Sequence, residues 1–404
     1  MTSFTFSFLT ILLIGFAQPL NYILVPKEHY VYTFNYNAFA KEHYLEVLAT
    51  IDDLTLYKTH PINYNLFKDT FEELFDIEEE QVYSVNPKFV ENENENVVFV
   101  QQPGEFRFKL QESVPWHLDR ISKRHLPLDG SYAYSEPGSC HRNSEVEIET
   151  YVVDTGCDIT HPEFEGRAEF LENFTGDGDD FDGNSHGTHC SGLIGSKTYG
   201  VCKDAKLKCV KVLDSQGSGT TSGVIAGMDY VFKRHLEREK ENPKVRSIIS
   251  MSLGGGYSGI MNRVVEKMVK KSNTFYIVVA AGNEAKDVKS TSPASARGIL
   301  TVMAMGRDDK RAYFSNYGPT ASLYSTGVEV KSTIPGGKTA IYSGTSMATP
   351  ALVGVLNHYL DMYPHLNMKQ LKEKILSDAT KDTIESNPKN TPNLMVFLKR
   401  NDDN

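Results

Sequence analysis

The 404-residue sequence lacks a long apolar segment beyond its first 17 residues, and it lacks an excess of basic charge. A membrane-spanning helix needs about 20 consecutive apolar residues, so residues 18–404 are not predicted to cross a bilayer. Residues 20–108 contain 16 acidic and 6 basic side chains, whereas residues 109–404 contain 36 of each. Because neither part has a basic surplus that could track phosphates, we predict no nucleic-acid partner.

Cysteine is also scarce, and the five residues of this type are Cys140, Cys157, Cys190, Cys202 and Cys209. This number is compatible with two disulfides and one remaining thiol in an oxidising compartment. Fully reduced thiols are the alternative interpretation. The spacing does not determine which cysteines would pair.

The first 17 residues have the pattern of a secretory signal peptide. They contain no acidic residue, an apolar run from Phe4 to Phe16, and the small residues Gly15 and Ala17 near a cleavage position. No Lys or Arg precedes the run, which departs from the usual signal. An uncleaved anchor helix is the alternative, but the run is shorter than the roughly 20 residues that a span needs.

Two different patterns divide the rest of the chain. Residues 21–100 alternate strand-like runs such as YILVP with helix-like mixtures such as NAFAKEHYLEVLATI, which predicts a small α+β unit. A stretch from 101 to 112 without sustained pattern is interpreted as a linker. Beyond it, short apolar strands alternate with helical stretches near 186–196, 221–240, 259–271 and 346–362. We therefore predict an α/β fold with a largely parallel sheet covered by helices on both faces.

Polar residues follow the predicted strands, at the edge where ligands gather in an open α/β sheet. Asp154 follows TYVV, His186 begins HGTHCSG, and Asn283 follows IVVAAG. A carboxylate there can hold an imidazole in one tautomer, and an amide can stabilise an oxyanion. Taken alone, Asp154 and Asn283 fit an ordinary turn better than a catalytic role, so the argument depends on the combination of motifs.

A candidate nucleophile, Ser346, lies in SGTSMATP at the start of an apolar helical segment. The positive end of the helix macrodipole favours an anion at this position. An N-cap serine explains Ser346 alone, but it does not explain Gly344 and Pro350 around it. The GxSxG nucleophile elbow is absent because Ala348 occupies its last position. The chain order Asp, His, Ser excludes an α/β-hydrolase and is the order found in subtilisin.

Two candidate metal motifs are incomplete. His186 and His189 are three residues apart, but a zinc-protease helix needs HExxH, and no third ligand is evident. The acidic segment 176–185 lacks the glycine and the final Glu of an EF-hand loop, so we interpret it as a surface loop. We predict no metal in the site, and His189 is expected to be a partly buried, hydrogen-bonded side chain.

From about Pro115 to its end the chain resembles subtilisin-like serine proteases, and within them the proteinase K branch. The motifs VVDTG, HGTHCSG, KVLDSQGSG, MSLGGGY, AAGN and SGTSMATP follow one another in the family order. The resemblance implies that Asp154, His186 and Ser346 form a catalytic triad. It implies an oxyanion hole made by Asn283 and the backbone N–H of Ser346. The preceding part is similar to the inhibitory propeptide of these enzymes, a small ferredoxin-like α+β domain.

The same resemblance assigns the residues that bind substrate. Two segments would flank the substrate backbone by strand addition, and a third would form the floor of a roomy apolar S1 pocket. These segments are, in turn, Ser252, Leu253 and Gly254; Gly217, Ser218 and Gly219; and Ala280, Ala281 and Gly282. They contain no acidic residue, so we expect a broad, apolar-leaning P1 preference and no preference for paired basic residues.

The stabilising features of the branch match this sequence less well. Cys190 corresponds to a thiol that the branch often keeps beside the catalytic histidine, and we expect it to be buried and inert. The other four cysteines do not match the disulfide positions of the branch. Gly306 replaces the carboxylate expected for a structural calcium, although Asp308 and Asp309 lie nearby. No cofactor is expected for the chemistry, and calcium dependence is left open.

Together these patterns predict a secreted, monomeric serine endopeptidase that is made as a zymogen and acts on proteins or peptides. Its predicted parts are a signal peptide (1–17), an inhibitory propeptide (18–108) and a peptidase domain (109–404), with the maturation cut near Phe108. Extracellular space and a secretory or vacuolar lumen are both compatible destinations. A binding-only relative would have lost at least one of the four key residues, and a partner-regulated processing enzyme is the other alternative.

Overall fold

The computed structural model describes residues 21–28, 34–85, 87–90, 98–100, 108–135, 140 and 146–399. Its α-helices are α1 Tyr36–Glu42, α2 Pro61–Leu66, α3 Lys68–Leu74, α4 Trp116–Ile121, α5 His186–Gly195, α6 Thr221–Glu241, α7 Gly259–Lys271, α8 Thr345–Met362 and α9 Met368–Asp378. Short 3₁₀ helices lie at Pro162–Phe164 and Val288–Ser290. The predicted signal peptide lies outside the described residues.

The strands of the N-terminal part are β1 Tyr22–Pro26, β2 Glu46–Ile51, β3 Leu54–Thr59, β4 Phe75–Glu79, β5 Val82–Ser84, β6 Lys88–Val90, β7 Val98–Val100, β8 Phe108–Glu112 and β9 Ser131–Ser135. The later strands are β10 Glu147–Asp154, β11 Ala168–Asn173, β12 Leu207–Lys211, β13 Ser218–Thr220, β14 Val245–Met251, β15 Gly255–Gly256, β16 Phe275–Ala280, β17 Thr291–Ser292, β18 Leu300–Met305, β19 Leu323–Thr326, β20 Val330–Ile334, β21 Lys338–Ser343, β22 Thr380–Lys381 and β23 Leu394–Met395.

The first unit is a four-stranded antiparallel sheet with the order β2-β3-β1-β4. Helix α1 follows β1, and α2 and α3 follow β3, which gives the βαββαβ arrangement of a ferredoxin-like fold. Aromatic side chains, among them Tyr57, Phe71 and Phe75, form the core between sheet and helices. The predicted α+β unit is confirmed.

Two local predictions for this part of the chain were wrong. The residues LEVLATI were expected to continue a helix, but β2 occupies most of them because they pair with β3 across a tight turn. The stretch 101–112 was expected to be a linker, but its end forms β8, which pairs with β7 on one side and β9 on the other. In both cases a partner strand determines the conformation, which the local sequence pattern does not reveal.

A nine-stranded sheet forms the centre of the larger unit, with the order β11-β12-β10-β14-β16-β18-β19-β23-β22. Its neighbours are parallel except for β22 and β23. Every residue of β16 and β18 is buried, because α5 and α8 cover one face while α6 and α7 cover the other. The predicted α/β fold with helices on both faces is confirmed.

One face of the four-stranded sheet is covered by the unit's own helices, and the other face packs against α6 and α7. Two of its carboxylates bind the N-termini of these helices. Glu78 accepts hydrogen bonds from the Ser258 hydroxyl at 2.5 Å and the Ile260 backbone N–H at 3.0 Å. Glu80 accepts from the backbone N–H and the hydroxyl of Ser222. Each carboxylate thus satisfies helix N–H groups that have no partner within the helix.

The Glu80 contact predicts that docking of the two units weakens in acid. Burial raises the pKa of Glu80, but hydrogen bonds from Ser222 and Asn21 outweigh it and leave the pKa below 4.5. A carboxyl whose pKa is lowered by folding contributes its full stability above its unfolded pKa and loses it as the pH falls through the folded pKa. In a chain made inactive by Ser346→Ala, Glu80→Gln should lower the Tm by several degrees at pH 7, and the difference should close toward pH 3.

The exposed neighbour Glu79 offers the matched control for this measurement. Glu79→Gln should leave the Tm nearly unchanged across the same pH range. A Tm difference for Glu80→Gln that stays constant between pH 7 and pH 3 would contradict the electrostatic explanation.

One disulfide, between Cys157 and Cys209, is present among the described residues. It joins the turn after β10 to the neighbouring strand β12. The cysteine count is compatible with two disulfides or with fully reduced thiols, and the structure has one disulfide in the described part of the chain. Cys140, Cys190 and Cys202 are buried thiols, and the sulfurs of Cys140 and Cys202 lie within 4.8 Å of each other. Among the described helices, none has the length and apolar character that crossing a membrane requires.

Candidate active site

The end of β10 and the start of α5 bring Asp154 and His186 together. Asp154 Oδ1 accepts a hydrogen bond from His186 Nδ1 at 2.7 Å and another from the Thr155 backbone N–H at 2.8 Å. Both side chains are fully buried. Burial lowers the pKa of His186, but the adjacent Asp154 carboxylate outweighs the effect of burial, and the pKa is raised well above 6.5. The pair therefore has the geometry of a base held by a carboxylate.

Asp182 supports this pair from behind. Its Oδ1 accepts hydrogen bonds from the Thr155 hydroxyl at 2.7 Å and the Ser185 N–H at 2.9 Å. Its Oδ2 accepts from the backbone N–H and the hydroxyl of Thr188 at 2.8 and 2.6 Å. The Thr155 hydroxyl also accepts from the Gly187 N–H at 2.9 Å. Asp182 thus binds the first turn of α5, on which His186 lies, to the turn that follows Asp154.

The role of Asp182 corrects the interpretation of 176–185 as a surface loop. Asp179 and Asp180 are exposed, as expected, but Asp182 is buried. It is buried because helix α5 needs acceptors for its first N–H groups. The N-cap preference for Asp does not identify it, because Asp182 lies four residues before the helix start and Ser185 occupies the N-cap.

Ser346 is the second residue of α8, and both Ser346 and His186 contact the sulfur of Cys190. The Cys190 sulfur is 3.8 Å from His186 Nδ1 and donates to the Ser346 carbonyl oxygen at 3.4 Å. The Ser346 hydroxyl donates to the Ser252 carbonyl oxygen at 3.1 Å. It must redirect this proton toward His186 before it can act as a nucleophile. Such bonds are often loose until substrate binds.

Pro350 explains why the Ser346 carbonyl is available to neighbours. In an α-helix this carbonyl would accept from the backbone N–H four residues later, but proline has no N–H. The Ser346 oxygen instead accepts from the Ser252 hydroxyl at 2.9 Å and from Cys190. Burial raises the pKa of the Cys190 thiol, so the sulfur is a weak hydrogen-bond donor and not a thiolate.

Asn283 follows β16 and faces the start of α8. Its Oδ1 accepts from the Thr345 backbone N–H at 2.9 Å and from the Thr345 hydroxyl at 3.0 Å. Because a backbone N–H only donates, these bonds assign the oxygen and leave the NH₂ group on the other side. Nδ2 lies 3.5 Å from the point where a Cβ would stand on Gly344. The amide can therefore donate to an oxyanion formed in front of Ser346.

This geometry predicts a specific kinetic effect for Asn283→Ala. The variant should lose about 10²–10³ in kcat with little change in KM, because the bond strengthens only as charge develops on the substrate oxygen. Steady-state kinetics with a chromogenic peptide measures it. Asn283→Asp keeps the acceptor for Thr345 but removes the donor, so an equal loss is expected. A loss below tenfold in either variant would exclude this role.

Two backbone edges flank the site, and the chain's own residues 82–85 lie between them. Strand β13 pairs antiparallel with β5, and the Val85 N–H donates to the Gly217 oxygen at 3.0 Å. On the other side Ser84 and Gly254 exchange two hydrogen bonds, at 3.1 and 3.4 Å. The segments 217–219 and 252–254, predicted to bind substrate, therefore form a channel of the width that one extended strand needs.

A cavity of about 380 Å³ opens beside Ser346. It is lined by the residues predicted for the S1 pocket and for one of the two substrate edges, and by Asn283 of the predicted oxyanion hole; the first two groups are Ser252, Leu253, Gly254, Ala280, Ala281 and Gly282. Glu284 also lines the cavity and was not identified from the sequence, although it directly follows AAGN. Its carboxylate accepts from Asn316 Nδ2 at 2.7 Å. The cavity thus combines an apolar floor with one acidic group.

The family model of the subtilases, described as "Subtilase family", matches residues 151–395, a range that contains Asp154, His186, Asn283 and Ser346. The chain belongs to the subtilase family. It is 44% identical over 287 residues to the cuticle-degrading protease of Metarhizium anisopliae, covering 71% of each chain. It is 41% identical over 289 residues to Proteinase T of Parengyodontium album, covering 71% of this chain and 93% of that protein.

A solved structure is also similar to this subtilase. The crystal structure of a cold-adapted subtilisin-like serine proteinase matches with a TM-score of 0.64 and 35% identity, covering 72% of this chain and 100% of that one. The predicted resemblance to subtilisin-like proteases of the proteinase K branch is confirmed. This subtilase is a serine endopeptidase, a hydrolase of peptide bonds.

The side chains considered as metal ligands in this subtilase have other partners. Nε2 of His189 lies 3.1 Å from the Ala340 oxygen, and its ring stacks on Tyr342. Burial lowers the pKa of His189 to about 3, so it stays neutral. Near Gly306, Asp309 forms two hydrogen bonds with the buried Arg120 at 2.6 and 2.9 Å, and Asp308 binds Lys310 at 3.0 Å. Because both carboxylates are already ion-paired, these residues do not fit a calcium site.

Proposed function

We propose that this endopeptidase is made as a zymogen and degrades proteins or peptides after its N-terminal unit has been removed. His186 takes the proton of Ser346, whose oxygen attacks the scissile carbonyl. Asn283 and the Ser346 backbone N–H stabilise the oxyanion, and water then hydrolyses the acyl-enzyme. The observation that carries this proposal is the buried 2.7 Å hydrogen bond between Asp154 and His186. The Cys190 sulfur, which contacts both His186 Nδ1 and the Ser346 carbonyl oxygen, places Ser346 next to this pair.

The inhibitory role of residues 18–108 is supported by the contacts of the ferredoxin-like unit. Glu78 and Glu80 bind the helix starts beside the cleft, and residues 82–85 fill the channel between 217–219 and 254. A substrate needs the same hydrogen bonds, so it cannot enter while this segment is bound. The free enzyme is proposed to act as a monomer.

A compartment outside the cytosol agrees with three features of the chain. Residues 1–17 have a signal-like pattern, Asn173 to Thr175 forms an N-glycosylation sequon, and Cys157 is disulfide-bonded to Cys209. These features suit extracellular space and a secretory or vacuolar lumen equally. The proposed maturation cut lies near Phe108, and N-terminal sequencing of the mature protein tests it. A start outside 103–115 would contradict this cut.

The proposed P1 preference is broad and apolar-leaning, because Ala280, Ala281 and Gly282 leave space and contribute no charge. Glu284 supports a secondary acceptance of basic P1 residues. A peptide series that differs only at P1 separates the two contributions. Phe and Leu should give the highest kcat/KM, and Glu284→Gln should reduce cleavage after Lys without affecting cleavage after Phe. Preference for Asp or Glu at P1 would exclude the proposal.

A further inference from the structure

Two buried thiols that take no part in the proposed catalysis lie side by side, although they are far apart in the sequence. The sulfurs of Cys140 and Cys202 and a carboxylate oxygen of Asp204 lie within 4.8 Å of one another. Both cysteine side chains are buried. The fold therefore brings two groups that can react with each other to one place.

The other three cysteines of the chain already have partners or a place in the active site. Cys157 is bonded to Cys209. The Cys190 sulfur lies in the active site, 3.8 Å from His186 Nδ1. The two thiols that remain are the ones whose sulfurs lie together. Oxidation of this pair would leave Cys190 as the single thiol, which is the arrangement that an odd number of cysteines allows.

The surroundings of the two sulfurs favour a neutral group. Burial raises the pKa of the Cys202 thiol well above its usual value, so a thiolate is disfavoured there. A metal ion bound by this cluster would need both cysteines as thiolates, beside the carboxylate of Asp204. A disulfide is neutral and apolar, and its burial carries no such cost.

The hydrogen bonds of Asp204 also permit oxidation. Its Oδ1 accepts from the Cys140 backbone N–H at 2.9 Å and from the Cys202 thiol at 3.5 Å. A disulfide removes the thiol hydrogen, but the backbone N–H stays in place as a donor to the same oxygen. Because the main cost of losing a hydrogen bond arises when a buried group is left without a partner, forming the bond costs little here.

We propose that Cys140 and Cys202 are oxidised to a second disulfide, which fastens the far end of helix α5 to the segment that precedes β10. The oxidant is a disulfide of a small thiol or of an oxidoreductase. One cysteine thiolate attacks it and releases a first thiol, and the other cysteine then attacks the mixed disulfide and releases a second. The two cysteines lose two electrons and two protons, and the oxidant takes them up as two thiols.

The proposed bond joins the two elements that carry the catalytic pair. Cys202 follows α5, whose first residue is His186, and its backbone N–H donates to the Ile194 oxygen of that helix at 2.9 Å. Cys140 precedes β10, which ends at Asp154. The loop that the bond closes therefore contains both Asp154 and His186. Closing a long loop restricts the unfolded chain, so the bond stabilises the folded site.

Peptide mapping tests the pairing without any change to the cysteines. The full chain carrying Ser346→Ala, which cannot digest itself, is incubated with oxidised glutathione, alkylated in denaturant without reduction, and digested. Peptides linked through Cys140 and Cys202 should exceed their unlinked forms about tenfold or more, because structural disulfides resist reduction by glutathione. Cys190 should be recovered as the alkylated cysteine, and Cys190→Ala should leave the linked peptides unchanged.

Three results of this experiment would overturn the inference. In the first, Cys140 and Cys202 are both alkylated while Cys157 and Cys209 stay linked. In the second, they carry glutathione but no bond to each other. In the third, native mass spectrometry finds one divalent cation per chain that a chelator removes and that Cys140→Ala no longer binds, which would make the cluster a metal site.

Thermal unfolding separates the effect of the bond from the effect of packing. In the oxidised state Cys140→Ala should lower the Tm by about 5 °C or more. After full reduction of both chains by a dithiol, the difference should shrink to the small effect of the lost side chain. Cys202→Ala should behave alike, and the double variant should lose less than the sum of the two. An equal difference in both redox states would contradict the proposed bond.

Discussion

Replacing Ser346 with alanine should reduce kcat/KM about a million-fold, the loss that follows removal of the nucleophile from a subtilisin. The alanine variant can neither form the acyl-enzyme nor use His186 as its base. Residual hydrolysis would come from Asn283 and from substrate positioning alone. The measurement needs wild type and variant matured by the same added protease, because the variant cannot process itself. Initial rates with a chromogenic peptide then give kcat/KM for both.

Ser377, an exposed serine of α9, gives the matched control. Ser377→Ala should retain wild-type kcat/KM. The loss in Ser346→Ala can then be assigned to removal of the nucleophile and not to a serine-to-alanine replacement in general. The Tm of Ser346→Ala should stay within a few degrees of wild type, because one hydroxyl is lost and no cavity larger than an oxygen atom is created. Activity above about 1% of wild type would exclude Ser346 as the nucleophile.

Asp154→Asn should reduce kcat about 10⁴-fold while leaving the site nearly intact in shape. Asp154 Oδ1 already accepts two hydrogen bonds, and Oδ2 is buried with no partner in the described part of the chain. An asparagine that keeps its oxygen at Oδ1 buries an NH₂ group without an acceptor. If it turns, the NH₂ group faces His186 Nδ1 and imposes the wrong tautomer. Both arrangements also remove the charge that stabilises the imidazolium.

A pH profile distinguishes this explanation from a general loss of folding. His186 works as a base only when neutral, and Asp154 raises its pKa, so wild-type kcat/KM should rise with pH as the imidazolium loses its proton. In Asp154→Asn this rise should move to lower pH, because the neutral amide no longer stabilises the imidazolium. Asp179→Asn, at an exposed carboxylate of the neighbouring loop, should change neither rate nor profile. An unshifted profile in Asp154→Asn would contradict the electrostatic role.

The sequence predicts what local patterns determine. Buried strands end in small and polar residues, so the sequence alone locates the sheet edge that carries Asp154 and Asn283. The order of the motifs along the chain selects the fold. The geometry brings Asp154 to His186 as expected. The roles of the individual site residues remain predictions that the substitutions above test.

Pairings between distant segments could not be predicted in the same way. Cys157 and Cys209 meet because β10 and β12 are neighbours in the sheet, which cysteine spacing does not reveal. In the sequence Asp182 is one of several acidic loop residues, and only the structure shows that its oxygens accept hydrogen bonds from the start of α5. The register of 82–85 depends on hydrogen bonds to backbone atoms more than 130 positions later. Such contacts depend on tertiary packing, which the local sequence pattern does not reveal.

The proline in helix α8 suggests a route to altered selectivity. Because Pro350 supplies no N–H, the Ser346 carbonyl accepts from the Ser252 hydroxyl, and Ser252 lines the cavity and belongs to the edge predicted to lie beside the P1 side chain. Any residue with an N–H at position 350 would compete for that oxygen and release Ser252. An engineer could therefore reshape the substrate edge from inside the protein, through a position that never meets the substrate.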